Sequence, residues 1–289
     1  MGAADVVPGV SGGTIAFISG IYQELIDSIS NINLGLVSVL RKEGFVALWK
    51  KTNANFLAAI LAGIIISALS VMNLMHYLLE NHPVQVWSFF FGLVVASILF
   101  VGKQIKNWNF ITFLFLVLSA LGAFATTQMS MVDSSNNLLY LFFCGAIAIC
   151  AMILPGISGS FILVLLGAYA NVSTAVHNME IKKLMIFFSG CIVGLLSFSK
   201  LLKWLFSKYK NMTLAILTGF ILGSLNKIWP WKKVLESVEI NDKIHITKDI
   251  SVMPCNYQGE PYLLWAIVFS VLGFLLIFIL EKFAPKKNA

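Results

Sequence analysis

Two stretches of this 289-residue chain bring together the residue types that bind an anion in apolar surroundings. The first reads ADVVPGVSGGTIAFISG over 4–20, and the second AMILPGISGSFILVLLG over 151–167. Proline lacks an N–H and clashes with the preceding helical turn, while glycine admits backbone angles closed to other residues. The pattern predicts helices that stop at 7–14 and at 154–160 and restart at once. A restarted helix presents unpaired N–H groups and the positive end of its dipole. Small side chains let an oxyanion approach that backbone, and hydroxyls add donors. The candidate anion-binding residues are Pro8, Gly9, Ser11, Gly12, Gly13 and Thr14 in the first break. Their counterparts are Pro155, Gly156, Ser158, Gly159 and Ser160 in the second. Glycines in membrane helices also mark close packing, and a single kink would be read that way. Two matched copies favour a shared ligand site.

Charged candidates are few. Asp5 stands one turn before the first break, where the second copy has Met152. An intramembrane carboxylate is expensive and marks function by default; it would carry a coupling proton or accept from the loop's own amides. A wet chain end is the plainer alternative. Glu24 and Asp27 follow at i, i+3 and reach the interface, where Glu24 is a second candidate for proton coupling and simple solvation is the alternative. Arg41 is the only arginine. It suits a phosphate headgroup bidentately, or serves general attraction to lipid headgroups. Lys200 and Lys227 are expected to extend toward the interface along their stems. Cysteines 144, 150, 191 and 255 form no CxxC, and histidines 76, 82, 177 and 245 have no metal-ligand spacing. No disulfide, metal, cofactor or catalytic residue is assigned.

The elements that must position the breaks are membrane helices. The composition is 58% hydrophobic and 11% charged, with a mean hydropathy of +0.87, whereas soluble domains are about 25% charged. Apolar windows recur at 55–79, 84–102, 109–132, 137–176, 184–199, 211–226 and 261–280. A crossing needs about 20 such residues. The fold class is therefore an all-α polytopic membrane protein. A net charge of +7 raises nucleic acid as a partner. The lysines cluster at segment ends, however, and no basic stripe is interleaved with aromatics for stacking, so nucleic acid is excluded.

The chain is internally duplicated. At an offset of 147, Pro8, Gly9, Ser11, Gly12, Gly20 and Tyr22 fall on Pro155, Gly156, Ser158, Gly159, Gly167 and Tyr169. At an offset of 127, Gly63, Leu74, Leu78, Gly92 and Ser97 fall on Gly190, Leu201, Leu205, Gly219 and Ser224. The first half thus has a longer connection, a basic segment over 31–50 expected along the membrane surface. Placing the lysines of 41–51, 103–106, 200–210 and 282–287 in the cytoplasm obeys the positive-inside rule only if 138–176 dips in and returns on one side. Each half is then a re-entrant broken-helix hairpin plus three transmembrane helices, and the odd number of crossings inverts the second half. Repeat 1 spans 1–136. Repeat 2 spans 137–289 and carries an external loop over 230–260, whose alternation predicts a hairpin. The C-terminus is cytoplasmic. Only seven residues precede Pro8, against sixteen apolar-rich ones at 138–153, so a native start upstream of Met1 is expected.

Through GAADVVPGVSGGTIAFISGIYQELI at 2–26 and LPGISGSFILVLLGAY at 154–169, the sequence resembles the bacterial and archaeal polyprenyl-phosphate transporter family over essentially its whole length. The resemblance implies a cell-membrane flippase that returns undecaprenyl phosphate, the lipid carrier of cell-wall precursors, from the outer to the inner leaflet. Its motif falls on Asp5, Pro8, Gly9, Ser11, Gly12, Gly13 and Thr14, and again on Pro155, Gly156, Ser158, Gly159 and Ser160. The implied partner is a lipid phosphate, with proton or cation coupling left open. Two alternatives share the architecture: a carrier or channel for a small inorganic anion, and a membrane lipid-phosphate phosphatase. The latter lacks any His, Arg or Lys in either break to assist phosphoryl transfer.

Overall fold

A computed structural model describes residues 1–2, 12–33, 35–128, 137–240 and 243–283. The first break restarts as α1 (Gly12–Ile18), followed by α2 (Tyr22–Ser30) and the exposed α3 (Leu36–Lys51). Three long helices come next: α4 (Ala54–Asn81), α5 (Pro83–Lys103) and α6 (Phe110–Gln128). The second broken segment is α7 (Leu138–Ile153), α8 (Gly159–Leu165) and α9 (Tyr169–His177). Then come α10 (Ile181–Lys208), α11 (Lys210–Ser224), a 3-10 turn (Leu225–Ile228), strands β1 (Lys232–Ile240) and β2 (Lys243–Ser251), and α12 (Leu263–Phe283). Helices α5, α6 and α10 are long and apolar enough to cross a membrane. The protein is a predominantly helical membrane protein with one antiparallel strand pair.

Helix bounds recur at the offsets read from the sequence. Helices α1 and α8 are each seven residues, 147 positions apart, and α2 and α9 are each nine at the same spacing. Between them Gly20 and Gly167 take φ of 73° and 63°, left-handed values that only glycine adopts without strain. Helices α4 and α10 are both 28 residues, and their C-caps, His82 and Tyr209, share nearly identical backbone angles.

Helices α1 and α2 occupy the centre. Ala16, Ile18, Tyr22 and Ile26 are nearly inaccessible and pack with Leu214, Leu217 and Ile221 of α11. Tyr22 is a packing residue at 2% exposure, against Phe17 and Phe206. The outer helices instead show apolar side chains such as Phe113, Leu121, Phe188 and Leu272, as lipid-facing surfaces do. Non-helical backbone at membrane depth survives only where protein or a wet cavity covers it.

Three helix pairs enclose this centre: α5 with α12, α6 with α11, and α7 with α10. Each pair is closed by glycines. A Cβ on Gly92 would overlap the Ser270 carbonyl, one on Gly219 the Leu116 carbonyl, and one on Gly190 the Phe142 carbonyl. Hydrophobicity drives little helix association in lipid, so close backbone packing takes over. Gly63, the counterpart of Gly190 on α4, has nothing within 4 Å of its would-be Cβ. The pair gives a matched test. Gly190→Ala should lower thermal stability in detergent by about 1–3 kcal/mol through overpacking. Gly63→Ala should be neutral or raise it by up to about 1 kcal/mol through helix propensity.

Candidate functional site

Helix α7 ends at Ile153, and the chain turns through Leu154–Ser158 before α8 begins at Gly159. The turn doubles back. The Tyr140 hydroxyl, one turn into α7, donates to the Leu166 carbonyl just past α8 at 2.6 Å. A Cβ on Gly159 would lie 2.7 Å from the Ala148 carbonyl. At the bend, Gly156 has φ of 87° and packs on α11, where a Cβ would come within 2.9 Å of Ile221, Phe220 and Ser224. Glycine is required there twice over, by angle and by space.

The two breaks meet. The Gly156 N–H donates to the Thr14 hydroxyl at 2.9 Å, a contact spanning 142 residues of chain. Thr14 is 1% exposed. This predicted ligand donor therefore joins the two breaks, and one predicted anion-binding amide is already engaged. Gly12 and Gly13 are buried beside it in α1. Asp5, Pro8, Gly9 and Ser11 lie outside the described residues.

On the other side of the second break, Ser158 and Ser160 share a hydrogen bond at 2.9 Å. With Gly159 they form one wall of a cavity of about 390 Å³. Its remaining walls are apolar, among them Ala148, Met152, Leu163 and Phe187. Met152 and Phe188, at 43% and 56% exposure, mark its opening toward the lipid-facing surface. The restarted helices are only two turns long, so their dipoles are correspondingly short. The hydroxyls are the stronger recognition elements here.

The remaining candidates lie elsewhere. Glu24 accepts from Asn53 Nδ2 at 3.1 Å at the start of α4. Asp27 pairs with Lys203 at 3.4 Å. Arg41 is exposed on α3, whose main packing partner is α4. Among the described residues, no group of three or more His, Cys, Asp or Glu could hold a metal.

Sequence reasoning missed one group. Lys227, expected to extend toward the interface, instead lines a small cavity with Thr126, Thr127, Gly156, Ile157, Ser158 and Ser224. Its ammonium contacts Asp249 of β2 at 3.1 Å, and Lys232 of β1 reaches the same carboxylate oxygen at 3.3 Å. The signal available in the sequence was the Ser224–Lys227 spacing, which places both on one face of the helix end. Asp249 comes into place only through strand pairing, with Lys232 opposite Ser251 and Val234 opposite Asp249. The predicted hairpin over 230–260 thus forms, and its base packs on α5 and α12 through Trp229, Trp231, Val84 and Ala266.

The arrangement is that of a helical membrane protein in which the turn between α7 and α8 touches α1. A family model described as VCA0040-like, undecaprenyl phosphate translocase-like, matches residues 1–246, and the chain belongs to that family. It is 42% identical over 294 residues to a polyprenyl-phosphate transporter of Vibrio cholerae serotype O1, covering 99% of this chain and 94% of the relative. It is 32% identical over 249 residues to a polyprenyl-phosphate transporter of Staphylococcus aureus, covering 80% and 83%. No solved structure matches it.

Two predictions follow from the geometry. Thr14→Val leaves the Gly156 N–H buried without its acceptor and should cost about 1–3 kcal/mol. Thr14→Ser keeps the oxygen and should cost clearly less, and thermal unfolding in detergent separates the two. The second concerns Lys232. Burial pushes its ammonium down to about 8, helped by Lys227 and opposed by Asp249. The folded value lies below the unfolded one, so between pH 8 and 10.5 the unfolded chain binds more protons and stability rises with pH. The melting temperature of the wild type relative to Lys232→Met should therefore climb from pH 7.5 to 9.5, and a flat difference would contradict the assigned burial.

Proposed function

We propose that the protein translocates a polyprenyl phosphate, undecaprenyl phosphate in particular, from the outer to the inner leaflet of the cell membrane. The phosphate head is held at the paired PGxSG breaks. The observation that carries this reading is the cavity beside α8, which sets Ser158, Gly159 and Ser160 against an otherwise apolar wall that opens to lipid. A small inorganic anion needs no such wall, whereas an isoprenoid chain does. The two polyprenyl-phosphate transporters with which the chain shares sequence point to the same class of cargo.

The halves act as inverted repeats around this site. In support, α4 and α10 correspond at an offset of 127 yet run in opposite directions. Asn53 at the start of α4 bonds Glu24 and Ser28 of α2, while Lys203 near the end of α10 bonds Asp27 and Asn31 at the same place. The Tyr140–Leu166 bond supports a segment that enters and leaves on one side. Rocking two such halves alternates access to a midplane site. Proton coupling through Asp5 or Glu24 belongs to the same proposal.

Purified protein in liposomes, with labelled undecaprenyl phosphate and a leaflet-selective readout, tests the reading. Wild-type protein should equilibrate the lipid between leaflets. Ser158→Ala combined with Ser160→Ala should slow it about a hundredfold or more, the worth of two hydrogen bonds to a charged group, while the protein stays folded. Undiminished movement in the double mutant would remove these hydroxyls from the mechanism, and release of inorganic phosphate would make the protein an enzyme instead.

A further inference from the structure

The cavity shared by Lys227 and the second break brings Thr126, Thr127, Ser158 and Ser224 together with the lysine, beside Ala123, Gly156 and Ile157. A phosphate monoester carries up to two negative charges, and hydroxyls alone do not neutralise them inside hydrocarbon. Lys227 is the cation that faces this cavity. Its partner Asp249 is shared with Lys232, so two ammonium groups meet at one carboxylate oxygen. The cluster is well enclosed, with Lys227, Asp249 and Lys232 side chains at 19%, 14% and 14% exposure. The Lys232 ammonium also reaches the Lys227 carbonyl and lies 5.8 Å from the Trp87 ring centroid. It is thus anchored independently of Asp249. Ser251 Oγ donates to the Asn226 side chain at 2.8 Å, and Asn226 donates to Thr127 at 2.9 Å, fastening the hairpin base to the cavity rim.

Resting on the transport reading above, we propose that Lys227 is the cationic contact for a phosphate monoester at the second break. Asp249 is its resting counterion and is displaced as the phosphate arrives. The cavity is about 20 Å³, room for a water and not for a phosphate, so this is the closed arrangement of that mouth. A phosphate that takes Lys227 leaves Asp249 with Lys232, so no carboxylate is stranded. Lys232 is a positioning residue in this exchange, and the hairpin is the arm that carries the counterion.

The test is equilibrium binding to the full chain in lipid nanodiscs, with farnesyl phosphate, inorganic phosphate and farnesol as probes. Lys227→Gln should weaken both phosphates about tenfold or more, the worth of a hydrogen bond to a charged group, and leave farnesol unchanged. Lys227→Arg should restore most of the loss. Asp249→Asn should act in the opposite sense and tighten both phosphates, because the competing carboxylate is gone. A merely structural salt bridge would weaken binding in both variants, so opposite signs are the decisive result. Farnesyl phosphate bound far better than inorganic phosphate marks a lipid headgroup site, and equal binding marks a site for free phosphate. Wild-type-like binding by Lys227→Gln, or weakened binding by a folded Asp249→Asn protein, overturns the proposal. If Lys227→Gln does not fold, the sign of the Asp249→Asn effect decides alone. A wild-type protein that binds farnesyl phosphate but does not move undecaprenyl phosphate in liposomes defeats the transport reading and leaves the Lys227 contact standing.

Discussion

A backbone amide that leaves a helix inside hydrocarbon must find another acceptor, and every unusual feature of this fold traces to that requirement. The bend after α7 takes Gly156 out of helical bonding, and its N–H finds the Thr14 hydroxyl. That one bond places the restart of the first broken segment against the turn of the second. It adds to the packing that holds α1 against α5 and α2 against α10, where both lie buried. It also explains the glycine at 156, since the turn must press against α11 to bring its amide within reach.

The surrounding helices meet a different constraint. Lipid tails are as apolar as leucine, so burying apolar surface does not hold the outer pairs together. Backbone approach does, through glycines that face carbonyls: Gly92 and Gly273 between α5 and α12, Gly219 and Gly223 between α6 and α11, Gly145, Gly190 and Gly194 between α7 and α10. Small residues here are packing devices, and those in the breaks are conformational ones. The same residue type thus serves two roles in one chain, which is why one Pro-Gly motif alone is weak evidence for a ligand site.

Much of this was legible in the sequence. The apolar windows at 84–102 and 184–199 fall within α5 and α10, and the break at 154–160 falls where α7 ends at Ile153 and α8 begins at Gly159. Membrane helices read well because length and hydropathy are local properties. What escaped was non-local. Thr14 reads as a ligand hydroxyl until Gly156, 142 residues away, takes it. Lys227 reads as an interfacial lysine because its partner Asp249 lies beyond a strand reversal, placed by register rather than by spacing. The lipid-facing cavity was equally hidden, since Ala148, Leu163 and Phe187 look alike whether they line a cavity or fill a core.

The duplication is not carried through to chemistry, and the departures from it matter most. At the offset of 147, Ser11 matches Ser158, but Thr14 matches Phe161 and Gly13 matches Ser160. The hydroxyl that joins the breaks therefore comes from the first half, and the hydroxyl pair that opens to lipid comes from the second. Lys227 has Phe100 as its counterpart at the offset of 127, so the cation too belongs to one side. The side chains able to meet an anion therefore differ between the two halves of the sequence. A single neutral hydrogen bond contributes only about 0.5–1.5 kcal/mol net. Joining the turn of the second break to α1 by one such bond therefore fixes their register with only a weak link.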